Sequence, residues 1–466
     1  MKAKHIISAT CLSAVLLTAS CKKFLERPPE GQMTEEVALK DEAGVAAFLN
    51  GGYTYLADDD FMGGRVQVVS ELLADHLNGD RFTGDYAEIF KRQNSINGDT
   101  RDNMYSKGYK LISMSNRVLA NLSKANTDAV RQSFEGQAKF FRGVAHFELV
   151  RLFAQPYGYS ADNSHNGIAI RLNANSENLP RSTVAQVYAQ IIADLRTADA
   201  LLPTTTDGGK FYTASKWAAD AYLAKVYFQM NRFDSAYFFA NAVIASNKFQ
   251  LDNNYNDRFS DGNSKEPILR IANQVGHYTP GNELRNNFRS DQSIPGCNFT
   301  ASFFNYATLK PYDTRKAWYS STLQAGYFVS TKYNKNYFEV PIGHLTEIKL
   351  IRAEAGAEMG TATLATAITD INDITTRAYG STTYNLLPTA SAASVIATTR
   401  LERELEMVAE GNRLQEIKRI GVRTGNNLDR RSPSSPWNCN GFILQFPKSE
   451  KDAYAPFIMN PEGGCF

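Results

Sequence analysis

A chain of 466 residues, 43% hydrophobic and 21% charged, is long enough to bury a substantial core. Its 50 Lys and Arg against 48 Asp and Glu leave a net charge of +2. That near balance excludes the electrostatic footprint of a nucleic-acid binder and a polybasic patch for anionic lipid. Mean hydropathy is −0.36, and no long apolar run follows the first twenty residues, so the remainder reads as a globular body.

At the start, Lys2 and Lys4 precede an apolar run over 6–19. A run of about 14 residues suits a secretory h-region and is too short to span a membrane. The small residues Thr18-Ala19-Ser20 lead into Cys21, which reads as a lipoprotein processing site. Residues 1–20 are then a lipoprotein signal peptide, and acyl chains on Cys21 hold the mature chain to a membrane. Losing Lys2 and Lys4 takes the basic count from 50 to 48, equal to the 48 acidic residues. Residues 22–32 contain two prolines and read as a tether.

Apolar positions at helical spacing then mark 35–56, with Gly51-Gly52 predicting a break. Residues 58–103 are rich in Asp, Asn, Gly and aromatics and read as long loops with short helical pieces. Helical periodicity returns over 104–122 and 129–153, where Phe140, Val144, Phe147 and Arg151 share a face. It continues over 184–202 and 214–246, the latter splitting into two helices at Asn231-Arg232-Phe233. Leu223, Ala224, Tyr227 and Ala236 follow the small and aromatic spacing of a tetratricopeptide repeat, in which small residues let helices pack closely. Residues 347–376 repeat that logic around Gly360. The sum is three or four helix pairs scattered along the chain rather than one contiguous solenoid.

Residues 267–341 are dense in Asn, Gly, Ser, Phe and Tyr and predict irregular structure with short strands at 268–272 and 326–333. Long irregular segments within a large domain are where binding sites tend to be built. Residues 401–421 predict one charged helix, with Leu401, Leu405 and Val408 buried. On that helix Glu410/Arg413 and Glu416/Arg419 pair at i,i+3 on a salt-bridged face.

Signatures of enzymes are missing: there is no HExxH, GxSxG, P-loop or GxGxxG. The six histidines are scattered, no Cys/His cluster suggests zinc, and residues 252–257 read as an Asx-rich turn. With Cys21 lipidated, Cys297, Cys439 and Cys465 remain. In an oxidising compartment Cys439–Cys465 is the expected disulfide, leaving one thiol unpaired.

Several blocks, in order, resemble the SusD/RagB family of Bacteroidetes nutrient-uptake lipoproteins. They are Cys21-Lys-Lys-Phe-Leu-Glu-Arg-Pro-Pro, the stretch Gly136-Gln-Ala-Lys-Phe-Phe-Arg-Gly-Val-Ala-His-Phe, and Pro180-Arg-Ser-Thr-Val with Tyr188 and Ile191-Ile-Ala-Asp-Leu. Leu350-Ile-Arg-Ala-Glu-Ala, Leu401-Glu-Arg-Glu-Leu-Glu-Met-Val-Ala-Glu-Gly-Asn-Arg, and the closing Phe446-Pro-Lys-Ser-Glu with Asn460-Pro complete the set. The resemblance implies a mainly α, SusD-like helical fold, with tetratricopeptide-like pairs supporting a loop-rich binding region that has a few short strands. It divides the mature chain into an N-terminal region, 21–265, and a C-terminal region, 266–466, packed as one body. It also implies a SusC-like TonB-dependent outer-membrane barrel as partner, an outer-membrane location facing the cell surface, no cofactor and no catalysis. Lys22-Lys23 stand where surface-exported members often carry acidic residues, so a periplasm-facing scaffold that binds another protein stays open as an alternative.

A glycan receptor needs exposed aromatic platforms beside Asp, Asn and Arg, because sugars present flat C–H faces ringed by hydroxyls. Two loop regions offer that mixture. One holds Asp75, Asp80, Arg81, Phe82 and Tyr86; the other holds Tyr278, Arg285, Phe299, Tyr306 and Trp318. The same groups suit a peptide, so the expected ligand is an oligosaccharide with a peptide as the alternative.

Overall fold

A computed structural model describes residues 34–175, 177–260, 262–273 and 280–465. The signal peptide, Cys21, the tether and Tyr278 lie outside the described residues. Among those described there are sixteen α-helices and four short strands. The first helices are α1 (Glu35–Ala38), α2 (Glu42–Leu56), α3 (Arg65–Leu73), α4 (Gly84–Phe90), α5 (Asp99–Ala120) and α6 (Asp128–Phe153). They are followed by α7 (Val184–Leu201), α8 (Lys216–Gln229) and α9 (Phe233–Ala245).

α2 runs through Gly51-Gly52 without the predicted break. The glycines serve packing instead. A Cβ on Gly51 would lie 2.8 Å from Met114 of α5, and one on Gly52 2.7 Å from Phe141 of α6. A side chain at Gly52 would push the Phe141 ring out of place, while at Gly51 only the flexible end of Met114 would have to move.

The short helical pieces expected among the loops of 58–103 are α3 and α4, and in α3 every residue from Val66 to Leu73 is buried. A helix buried on all sides lacks the polar face that produces an amphipathic period. Two of its polar residues bond locally, Ser70 donating to the Val66 carbonyl at 2.7 Å and Gln67 to the Met62 carbonyl at 3.1 Å, while Glu71 accepts from the distant Gly411 amide at 2.9 Å.

The segment after α9 carries β1 (Pro267–Ile271), α10 (Asn282–Phe288), α11 (Ala301–Thr308), β2 (Tyr319–Ser320), β3 (Val329–Ser330) and β4 (Val340–His344). β1 pairs antiparallel with β4, and β2 with β3. The segment is thus less irregular than predicted, and the strand expected over 326–333 shrinks to two residues. The remaining helices are α12 (Leu345–Met359), α13 (Thr361–Tyr379), α14 (Ala392–Glu406), α15 (Arg413–Thr424) and α16 (Lys448–Ala453).

In space the helix pairs are not scattered. α2 packs on α5, α5 on α6, α6 on α7, α7 on α8 and α8 on α9; α9 then meets α12, which meets α13 and α14. One continuous row results, although residues 246–344 interrupt it in sequence. Small residues allow the close approach at the resumption: a Cβ on Gly356 of α12 would already sit 3.1 Å from Tyr237 of α9. Buried arginine–carboxylate forks fasten the row. Arg142 of α6 grips Asp194 of α7 at 2.7 and 2.8 Å, and Arg352 of α12 grips Asp370 of α13 at 2.6 and 2.8 Å. Such bidentate pairs fix geometry as well as charge.

The single charged helix predicted over 401–421 is instead two helices, α14 and α15, broken at 407–412. Ala409 and Gly411 have φ of 61° and 79°, the left-handed region that ends helices. Nor do its charges face solvent. Glu402, Glu406, Arg403 and Arg419 are buried, as is Arg413. Glu410 pairs with Lys332 at 2.7 Å and His344 at 3.1 Å rather than with Arg413, while Glu416 does pair with Arg419 at 2.8 Å.

Glu406 lies at the centre of a buried cluster, 2.9 Å from Arg377, 3.2 Å from Arg315 and 3.4 Å from Arg258. Burial opposes its ionisation, but the three guanidinium groups outweigh it and hold the carboxyl below its usual range. This cluster bolts α13 and α14 to the middle segment.

One hydrophobic core extends from Leu39 to Phe457, with a smaller cluster among α12, α13 and α14. Cys439 and Cys465 form a disulfide with Cα atoms 5.2 Å apart, an ordinary separation. Cys297 is a buried free thiol whose pKa burial raises.

Candidate ligand-binding site

The two loop regions singled out in the sequence meet. The Asn78 amide donates to the Asn298 carbonyl at 2.8 Å, and the Thr300 amide to the His76 carbonyl at 2.9 Å. Phe299 in turn donates to Phe328 at 2.7 Å, so residues 76–78, 298–300 and 328 lie side by side as short bridged strands. On the face they build, Asp80 accepts from the Asn298 side chain at 3.2 Å, and the Arg81 guanidinium stands 5.6 Å from the Tyr327 ring centre. Phe82 leans on Phe90 with ring centres 5.2 Å apart. Asp80 and Arg81 are exposed, while Phe82 and Tyr86 are half-buried against the core.

Three other expectations are corrected. Asp75 is buried, its carboxylate gripped by Arg413 at 2.7 and 2.8 Å. Burial pushes that carboxyl upward, but Arg413 outweighs it and holds the pKa well below the ordinary value. Phe299 and Trp318 are each 1% exposed, because the loops carrying them run beneath the surface, not over it. The Trp318 indole donates to Asn256 at 2.7 Å, and the Lys332 ammonium lies 4.1 Å from its ring centre. Arg285, partly exposed, ties α10 to the Asn336 carbonyl at 2.7 Å.

Asp75 nonetheless shapes the site. Besides Arg413 it accepts from the Arg430 amide at 3.1 Å, clamping the 428–432 loop beside residues 75–80. The loop then divides two clefts. One, of about 340 Å³, is lined by Asn78, Phe90, Thr300, Ser302, Arg430 and Arg431. The other, of about 220 Å³, is lined by His76, Tyr306, Leu401, Glu404, Arg413 and Arg430, among others.

Arg430 is the shared wall. Its guanidinium forks onto Glu404 at 2.7 and 2.8 Å and stands 5.1 Å from the Tyr306 ring centre. Burial alone would raise the Glu404 carboxyl, but the His76 hydrogen bond and the charges of Arg413 and Arg430 bring it down to about 2. Burial pushes the Tyr306 hydroxyl up to about 12. At neutral pH the wall therefore presents a fixed ion pair beside a neutral phenol. Aromatic faces, hydroxyls, an amide and guanidinium donors are the groups that a polyhydroxylated ligand needs.

Arg430, Arg431, Phe90 and Glu404 escaped the sequence reading. The adjacent arginines in a loop rich in Asn, Ser and Pro were the available signal for the first two. Among the described residues, no group of three or more His, Cys, Asp or Glu is arranged to hold a metal ion, and no helix is long and apolar enough to cross a membrane.

A family described as starch-binding and associating with the outer membrane matches residues 23–228, and the SusD family matches residues 153–454. The chain belongs to the SusD family. SusD-like protein P25 of Formosa agariphila is 23% identical over 283 residues, covering 56% of this chain and 50% of that one. The match thus spans about half the length of that curated relative. The SusD fold extends further than the sequence identity. A SusD superfamily protein from Bacteroides vulgatus superposes with a TM-score of 0.77 at 21% identity, covering 90% of this chain and 99% of the other. Surface glycan-binding protein A from Bacteroides uniformis does so with a TM-score of 0.74 at 19% identity, with the same coverage.

Proposed function

We propose that this SusD-family chain is a cell-surface receptor, lipid-anchored at Cys21 in the outer membrane. It captures an oligosaccharide in the paired clefts around Arg430 and passes it unaltered to a TonB-dependent barrel. The observation that carries the reading is the convergence of residues 75–90, 298–306 and 428–432. These three segments, with Glu404 of α14, place Tyr306, Phe90, Asn78, Thr300 and the Arg430–Glu404 fork around open space. The glycan-binding name of the Bacteroides uniformis protein and the outer-membrane description of the matching family support the ligand class and the location. Asp80, Arg81, Phe82 and Tyr86 form the neighbouring shoulder of the same face, and Tyr278 belongs to the loop set proposed from sequence.

Isothermal titration of the mature chain against a panel of glycans and peptides tests this. Wild type should bind at least one glycan, and Tyr306→Ala with Arg430→Ala should weaken it by about tenfold, equivalent to about 1.4 kcal/mol. Binding of peptides alone would reassign the ligand class. Hydrolysis of a bound glycan would overturn the passive role.

A further inference from the structure

Beyond the clefts, one pair of aromatic rings is held ready at the surface without a core to pack into. Tyr312, in the loop after α11, stacks on Tyr384, in the loop between α13 and α14. Their ring centres are 3.9 Å apart and their planes 9° from parallel. The rings are 36% and 41% exposed. Tyr379, the last residue of α13, meets both at steep angles, 5.3 Å from Tyr312 and 5.5 Å from Tyr384, with interplanar angles of 85° and 76°.

Tyr379 is itself braced, accepting from the Lys310 ammonium at 2.6 Å and donating to the Glu402 carboxylate. Tyr384 sits in a short 3₁₀ turn capped by the Ser381 hydroxyl, and the neighbouring Asn385 is locked by Thr375 and Thr376. The stack is therefore ordered before any ligand arrives, and the entropy of fixing two tyrosines has already been spent.

We propose that the Tyr312–Tyr384 stack is a second carbohydrate platform, separate from the Arg430 clefts, which selects for extended oligosaccharides over mono- and disaccharides. The inference rests on the glycan reading above and specifies its substrate class. A braced aromatic face matches the C–H face of a pyranose, and the exposed Thr383 and the Lys310 ammonium, with donors beyond its bond to Tyr379, flank the rings in sequence. The exposed Leu309 and Leu387 extend the patch, but two rings and two leucines fall far short of the roughly 20–30 residues per side of a stable protein interface. The platform is also within reach of the clefts. Tyr306 lines the cleft six positions before Tyr312, and six residues span at most about 22 Å. An oligosaccharide of several sugars is long enough to cover a separation of that order.

The test uses the glycan that the binding panel selects, prepared as a length series from disaccharide to octasaccharide and titrated into the mature chain. Tyr312→Ala with Tyr384→Ala should weaken the longest oligomers by about tenfold and leave the disaccharide unchanged. Tyr312→Phe with Tyr384→Phe, which keeps the ring faces, should retain most of the long-chain affinity. Equal losses at every length, or none at any, would overturn the platform while leaving the cleft receptor intact. A loss of self-association on alanine substitution, with glycan binding unaffected, would reassign the patch to a second copy of the chain. Failure of wild type to bind any glycan would overturn both readings.

Discussion

The helical row and the loop face both use arginine–carboxylate forks, and they use them to opposite ends. Arg258, Arg315 and Arg419 are fully buried beneath the row, surrounded by Glu266, Glu402, Glu406 and Glu354. Arg430 makes a fork of the same kind onto Glu404, yet its side chain remains 43% exposed. Desolvation separates the two cases. Removing one member of a buried cluster strands an uncompensated charge, whereas an exposed guanidinium exchanges its partner for water at little cost. The buried forks hold the helices and the middle segment together, and the exposed one stands at the cleft wall, open to solvent.

The sharpest way to break this contrast is Glu406→Ala. It leaves Arg258, Arg315 and Arg377 facing one another, and we expect a loss of about 3–5 kcal/mol in urea denaturation. A loss below about 1 kcal/mol would show that the cluster is not a structural bolt.

Next in size is a pH effect confined to the row. Burial of His146 in α6 pushes its imidazole down to about 4 from 6.5. Between those values the unfolded chain binds the proton and the folded chain does not, so stability is complete above pH 6.5 and falls on acidification towards pH 4. The full difference is on the order of 3 kcal/mol. His146→Leu should flatten that limb of the Tm–pH curve while keeping the steeper fall below pH 4.5. That lower fall arises because Glu404 and its fellow carboxylates, held below their unfolded values, take up protons. An unchanged slope between pH 6.5 and 4 would remove His146 as its source.

Smallest is the effect of Arg430→Ala on stability, expected to be under about 1 kcal/mol by the same denaturation despite its fork onto Glu404. Equal destabilisation by Arg430→Ala and Glu406→Ala would erase the distinction between the two regions.

The helices of the row were legible because their apolar residues recur at helical spacing, and the split at residues 231–233 and the turn at Gly360 follow from that pattern. The position of α3 was not legible, because burial on every side removes the period. Gly51-Gly52 misled for a related reason: two glycines lower helix propensity, but here the space that a side chain would occupy is filled by Met114 and Phe141. At the candidate site, loop composition singled out two regions, which the fold brings side by side through Asn78 and Asn298. It could not separate Asp80 and Arg81, on the surface, from Phe299 and Trp318, beneath it, since polar loop texture is the same in both settings.

By itself the sequence determined a SusD-family, mainly α chain, with helix pairs bounded nearly where they stand and two loop regions rich in aromatic and polar groups. These are local properties, set by spacing and composition within a few turns of chain. Only the tertiary structure decided that the pairs form one row, that the charges of 401–421 are buried, and that Arg430 divides two clefts. Each of those rests on contacts such as Arg413 with Asp75, 338 residues apart, where burial, and not residue type, determines whether a charge builds the fold or meets a ligand.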